Sequence, residues 1–236
     1  MTVEITGSDL TCEDLHSVAH GSSVALSECA RSRMQSNVDS MPEGPSILEE
    51  KRHWLVGGFA AEMSPEELCR TFIIGHCAGV GPRLPDALVR ATMVARANVL
   101  ATGTTGCRPV AAEVLLDMLN AEVTPVVPSQ GSVGAAGDLA PLAHIARVAC
   151  GYTERPAGVR DYTPNSKEAL ALINGVSMTA ALGAVAVVRV RRVLDAAIAA
   201  AAMTMEAVGA GAGCIDARVL GARNHPGGIE VASRLR

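Results

Sequence analysis

The sequence predicts an all-α protein, and three observations carry that prediction. Of its 236 residues 49% are hydrophobic but only 2% are aromatic, so any core must be assembled from Ala, Val, Leu and Ile. Strand-like alternation is scarce, whereas PDALVRATMVARANVL, AAEVLLDMLN and LAPLAHIARVAC carry apolar residues at helical spacing. Helix-start chemistry recurs as well: Ser64-Pro65-Glu66-Glu67 puts Ser at the N-cap, Pro at the first helical position and Glu where a capping box closes. The length suffices for one good core or two small domains. We divide the chain into 1–150, which holds a Gly-rich stretch at 129–144, and 151–236, which reads as long bundle helices.

Taken in order, residues 1–35 predict one helix over about Cys12–Met34, preceded by Ser8 and Asp9. Pro42, Gly44 and Pro45 make 36–63 a loop. The helix begun at Ser64 runs through Ile74 and ends at GHCAGVG. Two further helices flank a Gly-Thr-Thr-Gly turn, with Pro85 at the first helical position of one and Pro109 near the start of the other. Residues 151–166 form a polar linker, and Asn165 with Glu168 signals the next helix start. ALALINGVSMTAALGAVAVV carries no charge, so a membrane span has to be weighed against a buried helix. Asn174 and Gly175 interrupt the run, and its alanines make it weakly apolar for lipid; a central helix of a bundle fits better. Helix then continues towards Gly209. A helical stretch such as 169–208 has too little charged face to stand in water, which predicts an oligomer.

Charge and cysteine usage narrow the function classes. The net charge is −4 and no basic block occurs, which argues against nucleic acid and against an anionic membrane surface as partners. The seven cysteines are odd in number, scattered and free of any C-x-x-C pair. That pattern suits a reducing cytosol better than a disulfide framework or a zinc site. The acidic opening MTVEITGSDLTCEDL lacks a signal-peptide core, so a cytoplasmic location is expected. His16 and His20 lie one turn apart without a third ligand nearby, so they read as surface histidines and no metal site is expected. Cys107 has no adjacent base and is discounted as a nucleophile.

The stretch SQGSVGAAGDLAPLAH, Ser129–His144, holds the densest chemistry. Gly131, Gly134 and Gly137 permit positive φ and close backbone approach. Asp138 follows where an N-cap carboxylate would open the apolar helix. A tight loop feeding a helix start can receive developing negative charge. The spacing matches neither a phosphate loop nor the dinucleotide pattern, and a merely strained connection is the other reading.

GSVGAAGDLAPLAH resembles the signature of the histidine and aromatic amino-acid ammonia-lyases and aminomutases, whose loop reads Gly-Ser-Val-Gly-Ala-Ser-Gly-Asp-Leu. In that family the Ala-Ser-Gly triad cyclises into the electrophilic cofactor 4-methylidene-imidazol-5-one (MIO). The corresponding triad here is Ala135-Ala136-Gly137, flanked by Gly134 and Asp138 as loop and helix support. Ring closure would join the Gly137 nitrogen to the Ala135 carbonyl carbon, and the exocyclic methylene would then arise by loss of a serine hydroxyl. Ala136 has no β-oxygen to lose, so no MIO is expected and the chain is expected to carry no cofactor.

The resemblance also implies roles for two further residues. GHCAGVG is similar to the family's Ser-His-Ala-Ala-Gly-Ile-Gly, whose histidine lines the substrate pocket; His76 is then a catalytic-site residue, where composition alone allows a satisfied core histidine. Leu-Ile-Asn-Gly is a family segment whose asparagine contacts the MIO ring; Asn174 is then a site residue, against a helix-breaking asparagine with a local backbone bond. Arg96, Asn98 and Arg108 match a family run and are expected to tie helix ends around the loop. The family's inner-loop motif Tyr-Gly-x-Asn-Thr-Gly-Phe-Gly, whose tyrosine acts in elimination, has no counterpart in 36–63, and the only tyrosines are Tyr152 and Tyr162. RNHPGGIEVASRLR resembles a mid-chain His-Pro-Gly-Gln element, so the likeness is good over about 64–236 and poor before it.

What this implies is the N-terminal half of the ammonia-lyase-like fold. Family members run about twice this length, and their second half supplies an arginine for the substrate carboxylate, a second tyrosine, a glutamine and a glutamate. Family sites are shared between subunits of a tetramer, so a homo- or hetero-oligomer with a small amino-acid-like ligand is expected, with neither nucleic acid nor membrane as partner. Two functions follow: a subunit of a split or diverged lyase-like enzyme, or a pseudoenzyme that binds or scaffolds.

Overall fold

The computed structural model describes every residue except Met1, Glu43, Gly134, Ala135, Ala136 and Arg155, together with the side chain of Phe59. Its order is β1 (Thr2–Ile5), α1 (Cys12–Ala19), β2 (Ser23–Leu26), α2 (Glu28–Asp39), α3 (Ile47–Glu50), α4 (Arg52–Leu55), a 3-10 turn (Gly58–Glu62) and α5 (Pro65–Gly75). Then come β3 (Val80–Arg83), α6 (Asp86–Ala101), α7 (Pro109–Asn120), β4 (Pro128–Gln130), α8 (Leu139–Ala149), α9 (Ser166–Ile173) and α10 (Ser177–Ala207). A second 3-10 turn (Ala212–Ile215), α11 (Ala217–Arg223) and α12 (Pro226–Leu235) complete it. The fold is all-α, with 62% of residues in helix and 7% in strand, as the composition predicts.

Two compact units divide the described chain, Met1–Val185 and Ala186–Arg236. In the first, α6 packs on α7, α1 and α2, while α5 and α8 pack on α9. Met93, Leu100, Leu115, Met118, Phe72 and Leu142 are among the largest fully buried side chains, so aliphatic groups do most of the filling. Because α6 is buried from Val89 to Ala97, even Arg90 and Arg96 are taken into the core. In the second unit, the remainder of α10 exposes Val187, Val190, Val193, Leu194 and Met203. There Arg234 of α12 pairs with Asp195 at 2.7 Å. No helix among the described residues is long and apolar enough to cross a membrane.

Several elements differ from the sequence expectation. The single helix over Cys12–Met34 is instead α1, β2 and α2, because β2 pairs in parallel with β1 through Val3↔Val24 and Ile5↔Leu26. That ladder buries Val3, Ile5 and Val24, and tertiary pairing outweighs the helical propensity of the segment. Within 36–63, where a loop was expected, α2 runs to Asp39 and short helical turns begin at Ile47; Ser46 closes a capping box with Glu49 that opens α3. Pro85 is the N-cap of α6 rather than its first residue, while Pro109 does occupy the first position of α7. The capping boxes of Ser64 with Glu67 and Asn165 with Glu168 form as read, and helix stops at Ile173 before Asn174-Gly175.

Asn98 and Arg108 are structural ties, as expected. Asn98 Oδ1 accepts the Gly7 N–H at 3.0 Å, where a Cβ on Gly7 would lie 2.6 Å from the Ala101 carbonyl. Arg108 grips the fully buried carboxylate of Glu168 through Nε at 2.8 Å and Nη2 at 2.7 Å, and its backbone N–H adds 2.9 Å. The same carboxylate accepts the Asn165 N–H at 3.1 Å and the Tyr162 hydroxyl at 3.2 Å. One acid thus starts α9 and fastens it to the start of α7 and to the polar linker. Replacing Glu168 by Ala leaves the inner face of Arg108 unpaired, and urea unfolding should show a loss of about 3–5 kcal/mol.

Candidate functional site

The Gly-rich stretch meets the break between α9 and α10. Gly137 takes φ +78° and forms a parallel bridge with Gly175, whose carbonyl a Cβ on Gly137 would strike. The next residue continues the contact: the Asp138 N–H donates to the Gly175 carbonyl at 2.8 Å. Only glycine tolerates that φ at so close an approach. Of the MIO-triad position, Gly137 alone is described; Ala135 and Ala136, with the supporting Gly134, lie outside the described residues.

Asp138 is buried and makes no side-chain bond to α8, the helix it was expected to cap. Its carboxylate instead caps the neighbouring helix: the Thr179 N–H donates to Oδ2 at 2.8 Å and the Thr179 hydroxyl to Oδ1 at 2.9 Å. Ser132 Oγ donates to the same Oδ1 at 3.0 Å. A negative charge at the first turn of α10 complements its free N–H groups and its dipole. Sequence reasoning missed Ser132 and Thr179, since neither lies in a local pattern that names Asp138 as partner.

Asn174 is exposed at the break and lines a cavity of about 570 Å³ with Arg96, Leu170, Gly175 and Ser177. His76 does not line that cavity. It ends α5 as the C-cap, half-buried, with Nδ1 2.7 Å from the Phe72 carbonyl and its ring 4.6 Å from that of Phe72. The segment after it nevertheless reaches the signature stretch, because β3 pairs antiparallel with β4 through Val80↔Gln130. A Cβ on Gly131 would lie 3.2 Å from Gly79 Cα. Gly137 and Asp138 are therefore brought to Gly175, the residue after Asn174, and His76 is linked to this stretch through the strand pair.

Two buried groups nearby lack partners. His144 of α8 is buried with neither ring nitrogen hydrogen-bonded among the described residues. Burial, and then the charge of Arg147, hold its pKa below the usual histidine value. Arg96 was expected to tie helix ends; instead its Nε has no partner, and burial lowers its pKa to about 10. Cys107, discounted as a nucleophile, is buried, and desolvation pushes its thiol up to about 11. His16 and His20 stack at 4.2 Å, and no cluster that could hold a metal ion occurs among the described residues.

The family model for aromatic amino acid lyases matches residues 10–236, and the chain belongs to that family. A histidine ammonia-lyase of Caldanaerobacter subterraneus subsp. tengcongensis is 37% identical over 259 residues, spanning 99% of this chain and 50% of the relative. One from Anaeromyxobacter dehalogenans is 38% identical, spanning 100% of this chain and 52% of its own length. The histidine ammonia-lyase structure from Trypanosoma cruzi superposes with a TM-score of 0.81 at 30% identity, over 100% of this chain and 50% of that one. The tyrosine aminomutase structure from Streptomyces globisporus gives 0.81 at 28% identity, over 100% and 48%. The likeness thus extends well before residue 64, further than the motifs indicated. The chain spans about half the length of the curated relatives it matches.

Two outcomes follow. Asp138→Ala removes the cap of α10 and leaves Ser132 and Thr179 without their acceptor, so unfolding in urea should come about 1–2 kcal/mol sooner. Hydrogen exchange should rise first at 176–182. Burial, and then Arg147, lower the His144 pKa in the folded chain, so as the pH falls below about 6.5 the unfolded chain takes up this proton first. Its share of stability is therefore present above that pH and lost as the pH falls through it. His144→Gln should flatten the decline of stability measured between pH 7 and pH 5.

Proposed function

We propose that this chain is one subunit of a split or diverged lyase-like enzyme that acts on an amino-acid-type substrate without an MIO group of its own. The observation that carries the reading is the pairing of a retained scaffold with an altered triad. Gly137 and Asp138 still meet Gly175 beside Asn174, yet Ala136 has no β-hydroxyl whose loss could form the exocyclic methylene of MIO. The residues present do not fit MIO. What this chain contributes is position: Asp138 fixes the start of α10, and Asn174 presents an amide at the cavity mouth. His76 offers a polar group from the neighbouring segment.

The acid–base groups for elimination come, in this reading, from polypeptide outside these 236 residues, on a companion chain that either brings its own triad or works by an MIO-independent route. The relatives' names include histidine ammonia-lyase and tyrosine aminomutase, which supports an amino acid as the ligand class. The exposed apolar side of α10 supports an oligomer, and the scattered free cysteines support a cytoplasmic setting.

A pseudoenzyme that binds or scaffolds is the second reading, favoured by the short helical turns and missing tyrosine motif at 36–63. Native mass spectrometry of the protein from its own host separates the two. The enzyme reading expects a stoichiometric companion carrying lyase-like sequence, and ammonia release from an amino acid by the complex but not by this chain alone. A homo-oligomer without a companion that releases no ammonia overturns the enzyme reading for this chain and leaves the pseudoenzyme reading standing, and a monomer contradicts both.

A further inference from the structure

The guanidinium of Arg96 is the most unusual group in the core. The residue is 4% exposed, its Nε has no hydrogen-bond partner, and no carboxylate pairs with it among the described residues. Its neighbour on the same helix shows what a satisfied buried arginine looks like. Arg90 Nε donates to the Val18 carbonyl at 3.1 Å and its Nη1 to that of Leu119 at 3.2 Å. A guanidinium stays protonated under all ordinary conditions, so burying one without an acceptor is costly unless something else supplies it. Cys107 contributes no charge, because burial keeps its thiol protonated.

Arg96 lines the 570 Å³ cavity beside Asn174. Gly175 lies against its Nη1, close enough that a Cβ there would collide with it. Thr105 Oγ1 and Ser177 Oγ border the same cavity and are likewise buried without partners. The rest of the lining is largely aliphatic, including Leu10, Leu15, Val99 and Leu170. One buried cation and two idle hydroxyls within apolar walls specify a ligand with a single acceptor-rich anionic end and a hydrocarbon body.

We propose that this cavity binds a small amphipathic monocarboxylate, its carboxylate on the guanidinium of Arg96 and its apolar part against Leu10, Leu15, Val99 and Leu170. Arg96 is here an anion-binding residue, and the inference needs no lyase reaction.

The test is titration calorimetry of the 236-residue chain with hexanoate and with hexanamide, which share a body and differ in charge. Hexanoate should bind at least about tenfold tighter than hexanamide, the margin that a charge-assisted contact confers. Arg96→Met should erase that preference while Lys167→Met, which alters the other cation of the cavity lining, should keep it. Equal binding of the two probes overturns the proposal, as does no binding of hexanoate, or a preference that disappears with Lys167 instead. The comparison within the unaltered protein decides the matter even where Arg96→Met does not fold. Loss of hexanoate binding leaves the enzyme reading untouched, since that reading stands or falls on a companion chain and ammonia release.

Discussion

The buried carboxylate of Asp138 holds the site together, because it belongs to one helix and caps another. It stands directly before α8, yet its oxygens accept from Thr179 in the first turn of α10 and from Ser132 in the approaching loop. The backbone does the complementary work, with Gly137 and Asp138 packed on the Gly175 carbonyl. Side-chain charge and glycine contact thus fix the signature loop to the break between α9 and α10. Placing a carboxylate at the α10 N-terminus also complements that helix's free N–H groups and its dipole.

A second buried acid does the same for the surrounding helices. Glu168 gathers Arg108, Tyr162 and its own N-cap, so that α7, the linker and α9 cannot shift independently. With so few aromatic side chains, the core relies on close helix packing through alanine and aliphatic groups, and these two carboxylates supply the directional contacts that such a core lacks. Arg96 is the exception. It is a buried charge that the described residues leave unanswered, and it faces the same cavity as Asn174.

Helix starts were legible where the signal is local. Ser64 with Glu67 and Asn165 with Glu168 are short-range capping boxes, and the Asn174-Gly175 break is written in adjacent residues. The β1–β2 ladder was not legible, since strand pairing between residues 2–5 and 23–26 is decided by burial across the fold rather than by local pattern. Asp138 shows the same limit within the site. Its position suggests a cap for the helix that follows it, whereas its true partner comes from residue 179, far along the chain. Asn98 and Arg108 fit their family run as structural ties, but nothing local distinguishes Arg96 from Arg90, and only tertiary packing leaves the first without an acceptor.

We propose that a lyase-family scaffold persists here around a triad that stays unmodified, because Ala136 has no β-oxygen to lose. Accurate intact mass with peptide mapping across 129–144, on protein purified from its own host, tests it most directly. The expected result is the unmodified mass of the sequence with an intact Ala135-Ala136-Gly137 backbone. A loss of water localised to those three residues would contradict it.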